Sequence, residues 1–202
     1  MPLKLWMRFL MRKIIFATKN PGKIREVNEI FKNSRIKLVP LFELTNVPEI
    51  IEDGITFDEN AKIKAEIIFN TYGIPTMGDD SGLVVEQLDG RPGVFSARYA
   101  GDSASDEENN EKLLYELNEF SEPHNAKFVC SAAYFDGSTF LTACGEVKGR
   151  IIKMPRGKNG FGYDPLFLPQ GYTLTSGELS LYEKNKISHR AIAFKKLKKQ
   201  II

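Results

Sequence analysis

The hydrophobic positions of the chain follow the periods of strands and helices in turn. Residues 13–17 and 37–39 are short runs rich in β-branched side chains, which predict buried strands. Between these runs, apolar residues recur at helical spacing after Asn20, a favourable helix N-cap. Near the C-terminus, Ser188 precedes a last helix with apolar residues on one side and lysines on the other. Strands that alternate with helices predict an α/β fold.

Capping boxes and a turn motif organise the middle of the chain. Thr56 and Ser105 each stand three residues before a glutamate, which predicts two helix starts, the first helix running to Phe69. Residues 128–135 and 139–152 predict a β-hairpin around an Asp-Gly-Ser turn. These elements extend the α/β pattern without an internal repeat.

Composition limits the class of protein and its compartment. The 202 residues are 42% hydrophobic and 27% charged, which suits a globular core, and no stretch approaches the roughly 20 apolar residues of a membrane helix. We expect residues 12–202 to form a single domain behind an N-terminal extension, residues 1–11, or Met11 to be the true start. Cys130 and Cys144 are too few for a disulfide scaffold, so we expect a structural thiol pair and a cytoplasmic location.

The charge is unevenly spread along the chain. Residues 1–40 carry ten Lys and Arg against two Glu, residues 183–202 carry seven against one, and the segment between them is acidic. This pattern suits an anionic ligand held by the basic ends and a metal held by the middle. Two solvated basic helices, or a nucleic-acid binding surface, are the alternative interpretations.

A first candidate site is the segment T-K-N-P-G-K at residues 18–23, between a predicted strand and a predicted helix. A helix N-terminus offers unpaired N–H groups and partial positive charge, which attract an anion such as phosphate. Lys23 falls in the first helical turn, where a cation opposes the helix dipole unless it meets an anion. An ordinary Asn-Pro-Gly turn is the alternative.

A second candidate site is a pair of adjacent aspartates in residues 79–82, which we predict to be a turn between strands 74–78 and 83–88. Because successive side chains of a strand point to opposite faces, we expect only one aspartate to enter a given site. Carboxylates on such a turn hold Mg²⁺ together with waters and substrate phosphates, and Glu52 or Asp53 would supply a second carboxylate. An Asx turn is the structural alternative.

Two further segments combine aromatic and polar residues. Residues 160–165, G-F-G-Y-D-P, place two rings and a carboxylate between residues that bend the chain, which suits a pocket for a nucleobase or, alternatively, a rigid turn. His189 and Arg190 fall in the first turn of the last helix, where cations are unfavourable unless they meet an acceptor.

The motifs T-K-N-P-G-K, G-D-D-S-G-L, P-G-V-F-S-A-R-Y-A-G, G-F-G-Y-D-P and I-S-H-R-A together resemble the inosine/xanthosine triphosphate pyrophosphatase family, over about residues 12–198. The resemblance implies a long twisted mixed sheet flanked by helices, two lobes with a substrate cleft between them, and a homodimer. It implies Mg²⁺-assisted hydrolysis of ITP, dITP and XTP to the monophosphate and pyrophosphate. The chain departs from many relatives at Lys19 and at residues 158–159, where they have Gly and Thr-Gly.

The resemblance also implies roles for individual residues. Asp80 would be the general base and a Mg²⁺ ligand, Glu52 the second metal carboxylate, and Arg98 part of the cleft wall. The implied substrate-binding residues are Thr18, Lys19, Asn20, Pro21, Gly22, Lys23, Lys64, Ser81, Phe161, Gly162, Tyr163, Asp164, Lys184, His189 and Arg190. We expect a small-molecule triphosphate as partner, without membrane or nucleic acid. A pyrimidine triphosphate pyrophosphatase and a non-catalytic nucleic-acid binding module are the alternatives.

Overall fold

A six-stranded mixed sheet with helices packed against it forms the frame of the protein. The computed structural model describes residues 11–202, so the expected extension lies outside the described residues except for Met11. The strands stand in the order β2-β1-β3-β4-β5-β6. The strands are β1 (Arg12–Phe16), β2 (Ile36–Pro40), β3 (Thr76–Val85), β4 (His124–Phe135), β5 (Phe140–Ile151) and β6 (Phe167–Pro169). The helices are α1 (Pro21–Phe31), α2 (Phe57–Tyr72), α3 (Asp106–Leu117), α4 (Leu181–Ile187) and α5 (His189–Ile201).

The sheet changes from parallel to antiparallel at β3. Strand β1 pairs in parallel with β2 and β3, whereas β3, β4, β5 and β6 pair antiparallel. The predicted hairpin is confirmed as β4 and β5, and the α/β fold is confirmed. Cys130 lies opposite Gly145 while Cys144 lies opposite Ser131, so the two thiols project from opposite faces of the sheet. Both cysteines are free thiols at neighbouring registers of the hairpin, but because they lie on opposite faces the expected thiol pair is wrong.

The predicted turn at residues 79–82 is wrong, because these residues lie inside β3, which is one continuous strand. The glycines that suggested a turn have another role, since each allows a neighbouring segment to approach the strand. A Cβ at Gly78 would overlap the carbonyl oxygen of Ala61 in α2. A Cβ at Gly82 would overlap the Gly93 carbonyl and the Ser96 hydroxyl. The aspartates are therefore presented by a rigid strand.

Helix boundaries follow local signals in most places. The side chains of Thr56 and Ser105 cap α2 and α3 in complete capping boxes, as predicted, and Ser188 caps α5. Helix α4 and strand β6 have no counterpart in the sequence-based assignment. Within residues 11–202, no helix is long and apolar enough to cross a membrane.

Helix α5 anchors one end of the molecule to the sheet. The ring of Phe194 is fully buried and meets Phe16 of β1 and Phe31 of α1 edge to face, with centroids 5.5 and 6.5 Å away. The first turn of the same helix crosses β5 at Gly145, where a Cβ would overlap the backbone of His189 and Ala193. The absence of a side chain at Gly145 therefore sets how closely α5 approaches the sheet.

Replacing Gly145 by alanine is expected to push α5 away from β5. Inserting a methyl group into a filled contact costs about 1–3 kcal/mol of unfolding free energy, because backbone or side chains must shift. Denaturant unfolding measures the change. The control is Cys144→Ala, next along the strand on its exposed face, which we expect to change stability by less than about 0.5 kcal/mol. Equal stability of both variants would contradict the close packing of α5.

Candidate active site

A cavity of about 400 Å³ opens between the N-terminal ends of α1 and α5, the middle of β3 and the loop after β5. Most residues implied by the resemblance line it: Thr18, Asn20, Lys23, Glu52, Lys64, Asp80, Ser81, Phe161, Gly162, Tyr163, Asp164, Lys184, His189 and Arg190. Arg98 also lines the wall. Lys19 and Pro21 are exposed and Gly22 lies behind the ring of Phe161, so these three do not line the cavity.

The N-terminus of α1 is closed by its own cap. The side chain of Asn20 accepts hydrogen bonds from the N–H groups of Gly22 and Lys23, at 2.8 and 3.1 Å. The next amide, of Ile24, donates to the Asn20 carbonyl. The expectation of unpaired N–H groups for an anion is therefore wrong, because the cap residue satisfies them. The groups that this segment offers to the cavity are the side chains of Thr18, Asn20 and Lys23.

The two aspartates of β3 point to opposite faces, as strand alternation predicts. Asp79 is fully buried, and its Oδ2 lies 3.0 Å from Lys23 Nζ and 3.2 Å from Arg190 Nε. Asp80 is the aspartate that lines the cavity. The cation that seemed misplaced in the first turn of α1 thus meets a carboxylate of the protein.

A chain of buried ion pairs continues from Asp79 to the aromatic loop. Arg190 Nη1 donates to Glu26 Oε2 at 2.6 Å, and its Nη2 donates to the Ser81 hydroxyl. Lys184 Nζ lies 2.7 Å from Glu26 Oε1 and also donates to Asp164 Oδ2. Glu26 of α1 therefore pairs with both Arg190 and Lys184. We call this series, from Lys23 through Asp79, Arg190, Glu26 and Lys184 to Asp164, the buried ion-pair chain.

The pKa values of Asp79, Glu26 and Lys184 shift toward the charged form of each group, whereas burial raises the pKa of Asp164. Burial alone would raise the pKa of Asp79, but Lys23, Arg190 and Lys64 outweigh it and lower that pKa to about 2. For Glu26, Arg190 and Lys184 likewise overcome burial and lower the pKa. Burial would lower the pKa of Lys184, and the carboxylates of Asp164 and Glu26 raise it instead.

A second cluster surrounds Asp80. Its Oδ2 accepts a hydrogen bond from Asn60 Nδ2 at 3.1 Å, and its Oδ1 lies 3.7 Å from Lys64 Nζ. The same ammonium lies 2.6 Å from Glu52 Oε2, so both carboxylates converge on one cationic point. Burial raises the pKa of Asp80, although the nearby cations Lys64 and Lys23 act to lower it. Burial acts to lower the pKa of Lys64, but the carboxylates of Asp80, Asp79 and Glu52 raise it.

The carboxylates of Glu52 and Asp80 fit the binding of Mg²⁺. They are hard oxygen ligands that already gather around a positive charge, and Mg²⁺ is usually held by one or two carboxylates with waters and phosphate oxygens. Within residues 11–202, no group of three or more His, Cys, Asp and Glu side chains forms an all-protein metal cage. The donor set therefore suits an ion that shares its coordination with a phosphate ligand.

The opposite end of the cavity is aromatic. The ring of His189 stacks on Phe128 with centroids 4.7 Å apart and planes 11° apart. Burial, together with Arg190, Lys184 and Lys23, lowers the pKa of His189 well below its usual value, so this imidazole is neutral. The ring of Phe161 lies 5.0 Å from Lys184 Nζ. This part of the cavity lining thus combines aromatic rings with a few polar groups.

Several residues of the site were not found from the sequence. Glu26 and Asn60 have no motif of their own, and Phe128 reads as an ordinary strand residue. The one available signal was at Glu26, a glutamate beside Val27 on the apolar side of α1, where burial requires a cationic partner. The hydrogen bond of Asn60 to Asp80 depends on how α2 packs on β3 and leaves no local signal.

The lysines of the last helix are used to attach it to the fold. Lys195 donates to the Asn185 carbonyl at 2.6 Å and Lys196 to the Cys144 carbonyl at 2.8 Å. Lys198 reaches the carbonyl of Ile30 at 2.8 Å. These side chains follow the protein surface, so the basic C-terminal segment acts as a set of links between α5 and its neighbours.

Comparison with known sequences matches residues 14–200 to the model of the Ham1 family. A protein of Geobacter sulfurreducens named dITP/XTP pyrophosphatase is 47% identical over 190 residues, covering 93% of this chain and 96% of the relative. A protein of Bacillus licheniformis with the same name is 48% identical over 189 residues, with coverage of 93% and 96%.

Solved structures show the same similarity. The chain superimposes on a HAM1 protein from Coxiella burnetii with a TM-score of 0.86 and 40% identity, covering 95% of this chain and 98% of that one. The Staphylococcus aureus Ham1 protein gives a TM-score of 0.83 and 37% identity, with coverage of 94% and 97%. Sequence and fold therefore point to one family.

Removing the charge of Glu26 is expected to destabilise the protein strongly. Glu26→Gln leaves two buried cations short of a carboxylate, and breaking a buried ion pair costs about 3–5 kcal/mol. We expect about 3 kcal/mol, since Arg190 keeps Asp79 and Lys184 keeps Asp164. Because the pKa of Glu26 is lowered on folding, its contribution is present at neutral pH and is lost progressively as the pH falls from about 4.5 through the lower pKa of the folded state. Glu26→Gln should therefore lose less stability on acidification.

The matched control is Glu29→Gln, on the same helix. Glu29 forms an exposed pair with Lys32 at 3.4 Å, and surface pairs contribute about 0–1 kcal/mol. Urea unfolding at pH 7 and pH 3 compares the two variants with the unmodified protein. If Glu26→Gln were as stable as Glu29→Gln at pH 7, the buried ion-pair chain would not stabilise the fold.

Proposed function

The chain belongs to the Ham1 family, and on this premise we propose that it hydrolyses deaminated purine nucleoside triphosphates, ITP, dITP and XTP, to the monophosphate and pyrophosphate. The observation that carries the proposal is the division of one cavity into a charged end and an aromatic end. Lysines and two converging carboxylates occupy the first, and stacked rings with a neutral imidazole occupy the second. A triphosphate and a nucleobase need these two environments at opposite ends of one ligand.

Cationic side chains bind the triphosphate. Lys23 and Lys64 both line the cavity and both lie against carboxylates, Asp79 for the first and Glu52 for the second. A lysine ammonium has three donors, so each can hold its carboxylate and still donate to a phosphate oxygen. The hydroxyl of Thr18 and the amide of Asn20 line the same end and orient the phosphates.

Asp80 orients and deprotonates the water that attacks the α-phosphorus. Its carboxylate is held by Asn60 on one side and by Lys64 on the other, so its direction is fixed before substrate binds. Glu52 and Asp80 would hold Mg²⁺, which, when bound, neutralises charge on the phosphate oxygens as the transition state forms. Lys23 stabilises the leaving pyrophosphate.

Polar groups at the aromatic end select the base. Lys184 uses two of its three donors on Glu26 and Asp164, which leaves one for O6 of hypoxanthine or xanthine. The neutral ring of His189 provides a second N–H. Adenine carries an amine at position 6, so donor would face donor, and an unsatisfied buried donor costs about 1–3 kcal/mol. The guanidinium nitrogens of Arg190 donate hydrogen bonds to Glu26, Asp79 and Ser81, so Arg190 positions these three residues.

The experiment that tests the function is pyrophosphate release from ITP, GTP and ATP, each with and without Mg²⁺. We expect Mg²⁺-dependent release from ITP far above that from the other two. The comparison with ATP isolates recognition of position 6, and the comparison with GTP isolates the 2-amino group. Equal release from all three would contradict the base pocket, and release of single phosphates would contradict attack at the α-phosphorus.

Asp80→Asn is expected to lower kcat for ITP by about 10²–10⁴-fold, the usual contribution of a general base. The matched control is Asp53→Asn, a neighbouring exposed carboxylate outside the cavity lining, which should keep normal turnover. Thermal unfolding confirms that both variants fold. Normal turnover of Asp80→Asn would contradict its assignment as the base. The homodimer that the resemblance implies and the cytoplasmic location expected from the composition remain predictions.

A further inference from the structure

The aromatic loop, residues 160–164, is closed by two hydrogen bonds between Phe161 and Asp164, which do not involve the N–H or the carbonyl of Gly162. Gly160 and Gly162 on either side of Phe161 both have positive φ, 80° and 61°. A Cβ at Gly162 would meet no atom within 4 Å, so the backbone conformation, and not lack of space, calls for glycine there. Gly162, next to Phe161, is held instead through its peptide groups by contacts from outside the loop.

Helix α3 supplies these contacts. The N–H of Gly162 donates to Asp106 Oδ2 at 2.6 Å, and the carbonyl of Gly162 accepts from Asn110 Nδ2 at 3.1 Å. The two side chains are one helical turn apart and therefore lie on one face of α3. Both peptide groups of Gly162, one toward Phe161 and one toward Tyr163, are thus held by a single helix.

The start of α3 is itself fixed. Ser105 and Glu108 form a complete capping box, which places Asp106 at the first helical position. A carboxylate in the first turn is also favoured by the helix dipole. At the far side of the loop, the Tyr163 hydroxyl donates to the Ser96 carbonyl at 2.9 Å. The loop is therefore held at Gly162 by α3 and at Tyr163 by the Ser96 carbonyl.

We propose that Asp106 and Asn110 are positioning residues for base recognition, which hold Gly162 and thereby set Phe161 and Tyr163 against the nucleobase. The proposal rests on the proposed function for the identity of the base. The ring of Phe161 packs directly on Gly22 and lies over Lys184 and Arg190, so a shift of the ring would change its contacts with these residues. Loosening the loop at Gly162 would therefore disturb the donors beside the base.

The first test measures selectivity in Asp106→Ala and Asn110→Ala. Each is expected to lower the ratio of kcat/KM for ITP over GTP by about 2–10-fold, the effect of one hydrogen bond, with KM for ITP rising and kcat changing little. Asp106→Asn keeps an oxygen acceptor and should restore most of the ratio. If Asp106→Asn behaved like Asp106→Ala, the carboxylate charge and not the hydrogen bond would matter, which overturns the proposal.

The matched controls are Glu107→Ala and Glu111→Ala, exposed residues at the neighbouring positions of the same helix with the same spacing. They remove a helix charge and a side chain without touching the contact to Gly162. We expect normal ITP-over-GTP ratios and the same thermal stability as in the two test variants. A loss of selectivity in the controls as large as in the test variants would overturn the specific role of Asp106 and Asn110.

Amide hydrogen exchange of residues 160–164, in protein without nucleotide, tests the anchoring separately from catalysis. Exchange should accelerate in both test variants and stay unchanged in the controls. Unchanged exchange overturns the anchoring, and faster exchange with an unaltered ITP-over-GTP ratio overturns its link to selectivity. Absence of ITP hydrolysis in the unmodified protein would instead overturn the proposed function, while exchange would still decide whether α3 holds the loop.

Discussion

The buried guanidinium of Arg190 is the interaction on which the rest of the site depends. A charge taken out of water is tolerated only with partners in good geometry, and Arg190 is 1% exposed. Its nitrogens bind Glu26 of α1 and Asp79 and Ser81 of β3 while its own backbone belongs to α5. Three elements distant in sequence must therefore come together in one arrangement for this cation to be satisfied.

In that arrangement, one residue of a neighbouring pair stabilises the fold and the other faces the ligand. Asp79 belongs to the buried ion-pair chain and holds Lys23, whereas Asp80, on the opposite face of β3, lines the cavity. In α5, Arg190 is held by carboxylates while His189, one residue earlier, lies neutral on Phe128. Each side chain that meets the ligand is thus held in place because the residue next to it in the sequence forms buried ion pairs.

Sequence alone predicted the parts of the fold that local chemistry determines. The caps at Asn20, Thr56 and Ser105 and the hairpin of β4 and β5 follow from short-range signals, and the structure has them. The turn at residues 79–82 was wrong because the flanking glycines serve tertiary contacts with α2 and with Ser96. The roles of Glu26 and Asn60 depend on which helix packs against which strand, so no local pattern could reveal them.

The most direct test of this account is the effect of Glu26→Gln on both ends of the cavity, measured in folded protein. Glu26 lies outside the cavity lining and joins Lys184 at the base side to Arg190, which in turn holds Asp79 beside Lys23 at the phosphate side. The account predicts weaker binding of tripolyphosphate, which has no base, together with a lower ITP-over-GTP ratio. A folded variant that binds tripolyphosphate and discriminates the two nucleotides as the unmodified protein does would contradict it.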